Sequence, residues 1–207
     1  MDLFDRLLEI PITVVLIIGG YQFYFWCQRQ TFYAPRYLPM AWDARIGFDP
    51  RWVWVYSGLY YPMILLAALA QPSWADYART VGGFLVLLAG QMVFFLRFPV
   101  AIPIDWRDNP TVAAARYVHP RSMRFLDTVW HYDKLRNSMP SMHVSVATMV
   151  DLTISARWPW FGLGGWLFPA LIGISAIKTK QHYLLDVPAG AVMGVAAYAA
   201  WSFAWPS

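Results

Sequence analysis

Six stretches of mostly apolar residues, each close to the length that crosses a bilayer, constrain this chain more than any other property of its sequence. They lie at about residues 10–27, 52–70, 80–96, 141–156, 160–177 and 187–205. A bilayer's hydrocarbon core needs roughly 17–25 helical residues, and in lipid only a helix or a closed barrel can satisfy its own backbone. Trp26, Trp52, Trp54, Trp158, Trp160, Trp201 and Trp205 stand at the ends of these runs, where indole rings favour the headgroup region. A hydrophobic fraction of 58% and a mean hydropathy of +0.40 exclude an ordinary soluble domain. The expectation is an all-α polytopic membrane protein, a bundle of six transmembrane helices forming a single membrane domain over residues 1–207.

Two long connections remain, residues 28–51 and 97–140, and loops of that length in a compact domain usually serve function. A chain that crosses six times puts the connections after spans one, three and five on one surface and both termini on the other. The N-terminus carries Asp2, Asp5 and Glu9 in place of a basic region, so no cleavable signal is expected and the first span stays. The sole cysteine, Cys27, cannot form an internal disulfide and reads as a small buried hydrophobe.

The chemistry gathers on the surface away from the termini. Pro140-Ser141-Met142-His143 opens the fourth run, and His182-Tyr183-Leu184-Leu185-Asp186 precedes the sixth. Two histidines and a carboxylate at matching helix ends can perform phosphoryl transfer without a metal. A separation of four puts His182 and Asp186 on one helical face, and a tight turn would also keep them in reach. Pro188 favours a helix that begins near Leu185 with the proline in its first turn. A carboxylate so close to a span is expensive to bury alone, which argues for pairing with His182. His119 and His131 read as interfacial polar residues, and Arg116, Arg121 and Arg124 as a surface for anionic head groups.

These residues resemble the type 2 phosphatidic acid phosphatases and their lipid phosphotransferase relatives, over about residues 80–195, taken as the catalytic motif region. The family's Pro-Ser-Gly-His motif has its counterpart in residues 140–143. The preceding Asp133-Lys134-Leu135-Arg136-Asn137-Ser138 looks like the branch related to inositol phosphorylceramide synthases. The motif Ser-Arg, five residues, His, three residues, Asp has its counterpart in Ser175-Ala176, His182 and Asp186, with Ala176 in the arginine's place. The first motif, Lys, six residues, Arg-Pro, is not recognisable. Arg97-Phe98-Pro99, or Arg107 before Pro110, stands where it would fall.

The resemblance implies that His182 attacks phosphorus to give a phosphohistidine, that Asp186 holds its tautomer, and that His143 is the general acid. Ser141 and the backbone N–H groups that open the fourth span can face the phosphate. Arg97, Arg107, Lys178 and Lys180 are the candidates for the phosphate clamp, the two lysines as substitutes for the missing arginine. The implied partners are a lipid phosphate substrate and the bilayer, with no cofactor, no metal and no nucleic acid. A lipid phosphate phosphatase leads; a head-group phosphotransferase of the inositol phosphorylceramide synthase type, a zinc site built from the two histidines and the aspartate, and a non-catalytic lipid-phosphate carrier are the alternatives. Only Arg6, Arg79 and Arg157 of the 16 basic residues fall on the termini side, which leans toward a cytoplasmic site. The short chain fits a bacterial inner-membrane protein.

Overall fold

The computed structural model describes residues 3–205, without the side chains of Leu3, Phe4 and Arg6; Asp2 lies outside the described residues. Nine α-helices account for most of them, and among the described residues there is no strand, only two isolated bridges that pair Arg36 with Val100 and Ala101 with Arg136. Helix α1 is Leu3–Arg29 and α2 is the short Ala41–Arg45. The second span begins with a 3-10 turn at Pro50–Trp52, widens into a π-helical stretch at Trp54–Leu59 and continues as α3, Tyr60–Leu69. Helix α4 is Trp74–Arg97, opened by the Ser73 hydroxyl, which accepts from the Asp76 N–H at 3.1 Å. Two helices absent from the sequence reading, α5 (Pro110–Val118) and α6 (Pro120–Tyr132), fold the polar connection into a surface hairpin. Then follow α7 (Met142–Arg157), α8 (Leu167–Lys178) and α9 (Asp186–Ala204).

All six expected spans are helices, and five have both the length and the hydropathy of a membrane crossing. The exception is α7, whose 16 residues reach only about 24 Å. It packs against α3, α4, α8 and α9, and Ala147, Val150 and Ile154 along it are completely buried. A helix sheathed by protein need not span the hydrocarbon unaided. The perimeter behaves oppositely: α1 turns Leu7, Val14, Val15 and Ile18 outward, an apolar surface that suits lipid. The chain is a multi-pass membrane protein.

Close approach of α9 to α7 sets the position of the site. A Cβ on Gly190 would lie 2.6 Å from the Ser141 carbonyl oxygen, and one on Gly194 would lie 2.5 Å from that of Ser145. Small residues four apart let two membrane helices touch backbone to backbone. The contact is continued by polar bonds: Gln91 on α4 donates to the Ser145 hydroxyl at 2.7 Å, which donates to the Ser141 carbonyl at 2.8 Å. Gly194→Val is therefore expected to cost about 1–3 kcal/mol or more by overpacking, seen as a lower unfolding midpoint in detergent. An unchanged midpoint would show that the two helices are free to separate.

The connections sort onto two ends as parity requires. At one end, Gln28 donates to Asp133 at 2.9 Å, the Asp49 N–H to the Lys178 carbonyl at 3.0 Å, and the Ser141 N–H to the Asp186 carbonyl at 3.1 Å. At the other, the indole of Trp74 donates to Asp5 at 2.9 Å and that of Trp201 to the Arg79 carbonyl at 2.7 Å.

Candidate active site

His182 and Asp186 occupy a tight turn between α8 and α9 in place of a helical face. Their contact, Nδ1 to Oδ2, is 3.2 Å, and the same oxygen accepts the Tyr183 N–H at 2.9 Å. Asp186 is the first residue of α9 and Pro188 falls in its first turn, where the ring costs no hydrogen bond. The turn is held from several directions. The Tyr183 hydroxyl donates to the Ala101 carbonyl at 2.7 Å, its ring meets Trp106 edge-on, and burial pushes its phenol up to about 12. Buried Asp43 accepts the Leu184 N–H at 2.7 Å and caps α2 through the Met40 N–H at 2.6 Å. A connection distant in sequence thus clamps the histidine's turn.

His143 sits in the first turn of α7, which Ser141 opens by accepting the Val144 N–H at 3.4 Å. Its Nδ1 lies 2.9 Å from the Tyr56 hydroxyl. The imidazole is flanked by Tyr56 and Tyr60, with ring centroids at 4.1 and 4.6 Å. Tyr56 can reach it because the wide turn at Trp54–Leu59 rotates Tyr56 and Ser57 inward, a backbone irregularity often found at functional sites. Sequence periodicity carries no sign of that turn, so Tyr56 was not among the expected site residues.

Both histidines open on one cavity of about 430 Å³. Its apolar walls come from α1 and α6, including Ile17, Ile18, Phe25, Phe125 and Val129. Its polar side comprises Asp133, Arg136, Asn137, Ser138 and Gln181. With one Nδ1 on Asp186 and the other on Tyr56, each ring keeps its Nε2 for a ligand. Among the described residues no set of three or more His, Cys, Asp or Glu converges to hold a metal.

The expected phosphate ligands distribute unevenly. Arg97 ends α4 in an exposed position outside the cavity lining. Lys178 ends α8, also outside it. The Lys180 ammonium donates to the Ile46 carbonyl at 2.7 Å and the Asp43 carbonyl at 3.3 Å and lies over the Trp106 ring, fastening the α2 connection. Burial pushes it below the usual lysine range, against the opposing pull of Asp43. Arg107 stands directly behind the polar wall: it donates to Asp133 at 2.5 Å, to Oε1 of Gln181 at 2.8 Å and to the Lys180 carbonyl at 3.3 Å. Ser141 is fully buried where α7 meets α9 and does not line the cavity. Ala176, at the position the resemblance gives to arginine, is itself fully buried in α8.

The chain is 35% identical over 63 residues to a lipid A 1-phosphatase of Porphyromonas gingivalis, a stretch that covers 28% of this chain and 14% of that protein. The match thus spans about a seventh of the relative's length. No solved structure matches the chain. A family model, that of the PAP2 superfamily, matches residues 41–200, which takes in α2, the wide turn beneath His143, both histidines and the Asp186 turn. A match over so much of the chain, with His143, His182 and Asp186 gathered at one end of the bundle, makes the protein a member of the PAP2 superfamily.

Proposed function

We propose that the chain is an integral membrane enzyme that cleaves the phosphate ester of a lipid through a phosphohistidine on His182, most simply as a lipid phosphate phosphatase. One observation carries the reading: two histidines from separate elements face one cavity, each with Nδ1 already engaged. Nε2 of His182 forms the N–P bond as the bond from phosphorus to the lipid oxygen breaks, and that oxygen takes a proton from His143. Water then attacks phosphorus, gives its proton to His143, and phosphate leaves His182. Asp186 favours the tautomer with the proton on Nδ1, which leaves the lone pair on Nε2. The cavity's apolar wall between α1 and α6 suits a lipid's chains, and the name of the bacterial relative agrees with a lipid substrate.

We place the enzyme in a bacterial inner membrane with its site toward the cytoplasm. The basic residues support this, since those on the termini side are few and the connections around the site hold the rest.

Purified protein incubated with radiolabelled phosphatidic acid, undecaprenyl diphosphate, and a phospholipid with inositol or ceramide acceptors is expected to release free phosphate, with activity unaffected by EDTA. Quenching during turnover should trap label on the protein as an acid-labile, base-stable adduct. Head group transferred to an alcohol in place of free phosphate would reassign the enzyme as a phosphotransferase. Binding without turnover would make it a carrier, and loss of activity in EDTA would point to a metal site.

A further inference from the structure

The resemblance calls for an arginine clamp around the phosphate, yet the cavity is almost without cations. Among the described lining residues Arg136 is the only lysine or arginine, and its guanidinium donates to the Tyr33 carbonyl at 3.1 Å. Three neutral donors that no protein group accepts belong to residues of the cavity's polar side: Nδ2 of Asn137, Oγ of Ser138 and Nε2 of Gln181. Their residues are 2%, 3% and 5% exposed and all line the cavity with the two histidines. Buried donors left unmet destabilise a fold, and in native proteins they are rare enough to require a reason.

The surrounding structure holds these donors in place at further cost. Arg107 donates to Oε1 of Gln181, which fixes the orientation of the amide and leaves Nε2 as its unmet donor end. Arg107 is itself held by Asp133 and the Lys180 carbonyl, so the amide cannot turn without breaking that set. Leu135, Asn137 and Lys180 have φ of 60°, 63° and 56°, the left-handed region that side chains resist. Asn137 is itself a donor residue, Leu135 lies two residues before it and Lys180 immediately precedes Gln181, and strain of this kind gathers at binding sites. Arg107 thus acts from one layer back, as a positioning residue whose charge polarises the Gln181 amide.

We propose that Asn137, Ser138 and Gln181 form the seat for the substrate's phosphoryl oxygens, a neutral hydrogen-bond clamp that stands in for the arginine absent at Ala176. Three donors suit the non-bridging oxygens of a phosphate held beside His182, the next residue after Gln181. The clamp rests on reading the cavity as a phosphate-ester site, so its test separates binding from turnover.

Orthophosphate binding to the full-length protein in nanodiscs, followed by titration calorimetry, provides that test. Gln181→Glu keeps an oxygen for Arg107 and replaces the donor with an anionic acceptor, so phosphate affinity is expected to fall about a hundredfold. Ser138→Ala removes one oxygen and is expected to weaken binding about tenfold. His182→Ala should abolish lipid turnover yet still bind phosphate. Should Gln181→Glu fail to fold, Ser138→Ala decides the matter by the same readout. Affinity like that of the wild type in the folded donor variants, or no phosphate binding by the wild type, would overturn the clamp. Donor-dependent binding together with undiminished turnover by His182→Ala would instead keep the clamp and remove the phosphohistidine.

Discussion

His182→Ala is expected to reduce release of phosphate from lipid substrate by at least about 10⁴-fold and to remove the acid-labile label from the protein. The size of the effect follows from the role: without the imidazole no N–P bond can form, and direct attack by water lacks a nucleophile already in place. The fold should survive with a smaller loss. Asp186 retains the Tyr183 N–H at 2.9 Å and its place at the start of α9, while one bond to a buried carboxylate is removed. A destabilisation of about 1–3 kcal/mol is appropriate for that loss and would appear in the unfolding midpoint. Turnover within tenfold of the wild type, or a phosphorylated protein in the variant, would move the nucleophile elsewhere.

Asp186→Asn should be milder and more diagnostic, with turnover lowered by roughly 10²–10⁴. Shape and volume are kept, but the carboxylate that accepts from His182 Nδ1 becomes an amide. An amide can turn its NH₂ toward Nδ1, which stabilises the tautomer with the proton on Nε2 and blocks the attacking lone pair. Asp186 Oδ2 also accepts the Tyr183 N–H at 2.9 Å, so an amide that keeps its oxygen there still loses the negative charge that favours a proton on Nδ1. The expected signature is a fall in kcat with little change in KM or unfolding midpoint. A variant with wild-type kcat would reduce Asp186 to a helix-start residue.

Much of the bundle was legible because lipid imposes a one-dimensional rule: a helix that crosses must be apolar along its length. That rule finds all six helices, yet it says nothing about which is enclosed, and α7 falls short of the usual length because its neighbours shield it. It was also blind to α5 and α6. Their polar composition reads as a loop, while in the structure the salt bridge between Arg116 and Asp127 and the burial of Val112, Met123 and Leu126 tie two short helices together.

The candidate site divides in the same way. His143, His182 and Asp186 sit at fixed spacings within short segments, so the sequence itself places them. Tyr56, Asn137 and Gln181 depend on a wide helical turn, a left-handed residue and an arginine from another connection, none of which leaves a local pattern. Lys180 illustrates the converse error of inference. A lysine near a motif suggests a phosphate ligand, but its reach and flexibility serve equally well to hold the Asp43 and Ile46 carbonyls.

The enclosure of α7 has one more consequence. When hydrocarbon thickness changes with lipid composition or temperature, the adjustment falls on helices that touch acyl chains, which tilt or bend to match. α1 is such a helix, and it walls the cavity; His143 rides on one that touches almost no lipid. Thinner or thicker membranes would therefore reshape the cavity's apolar wall while leaving the His143 imidazole where it is.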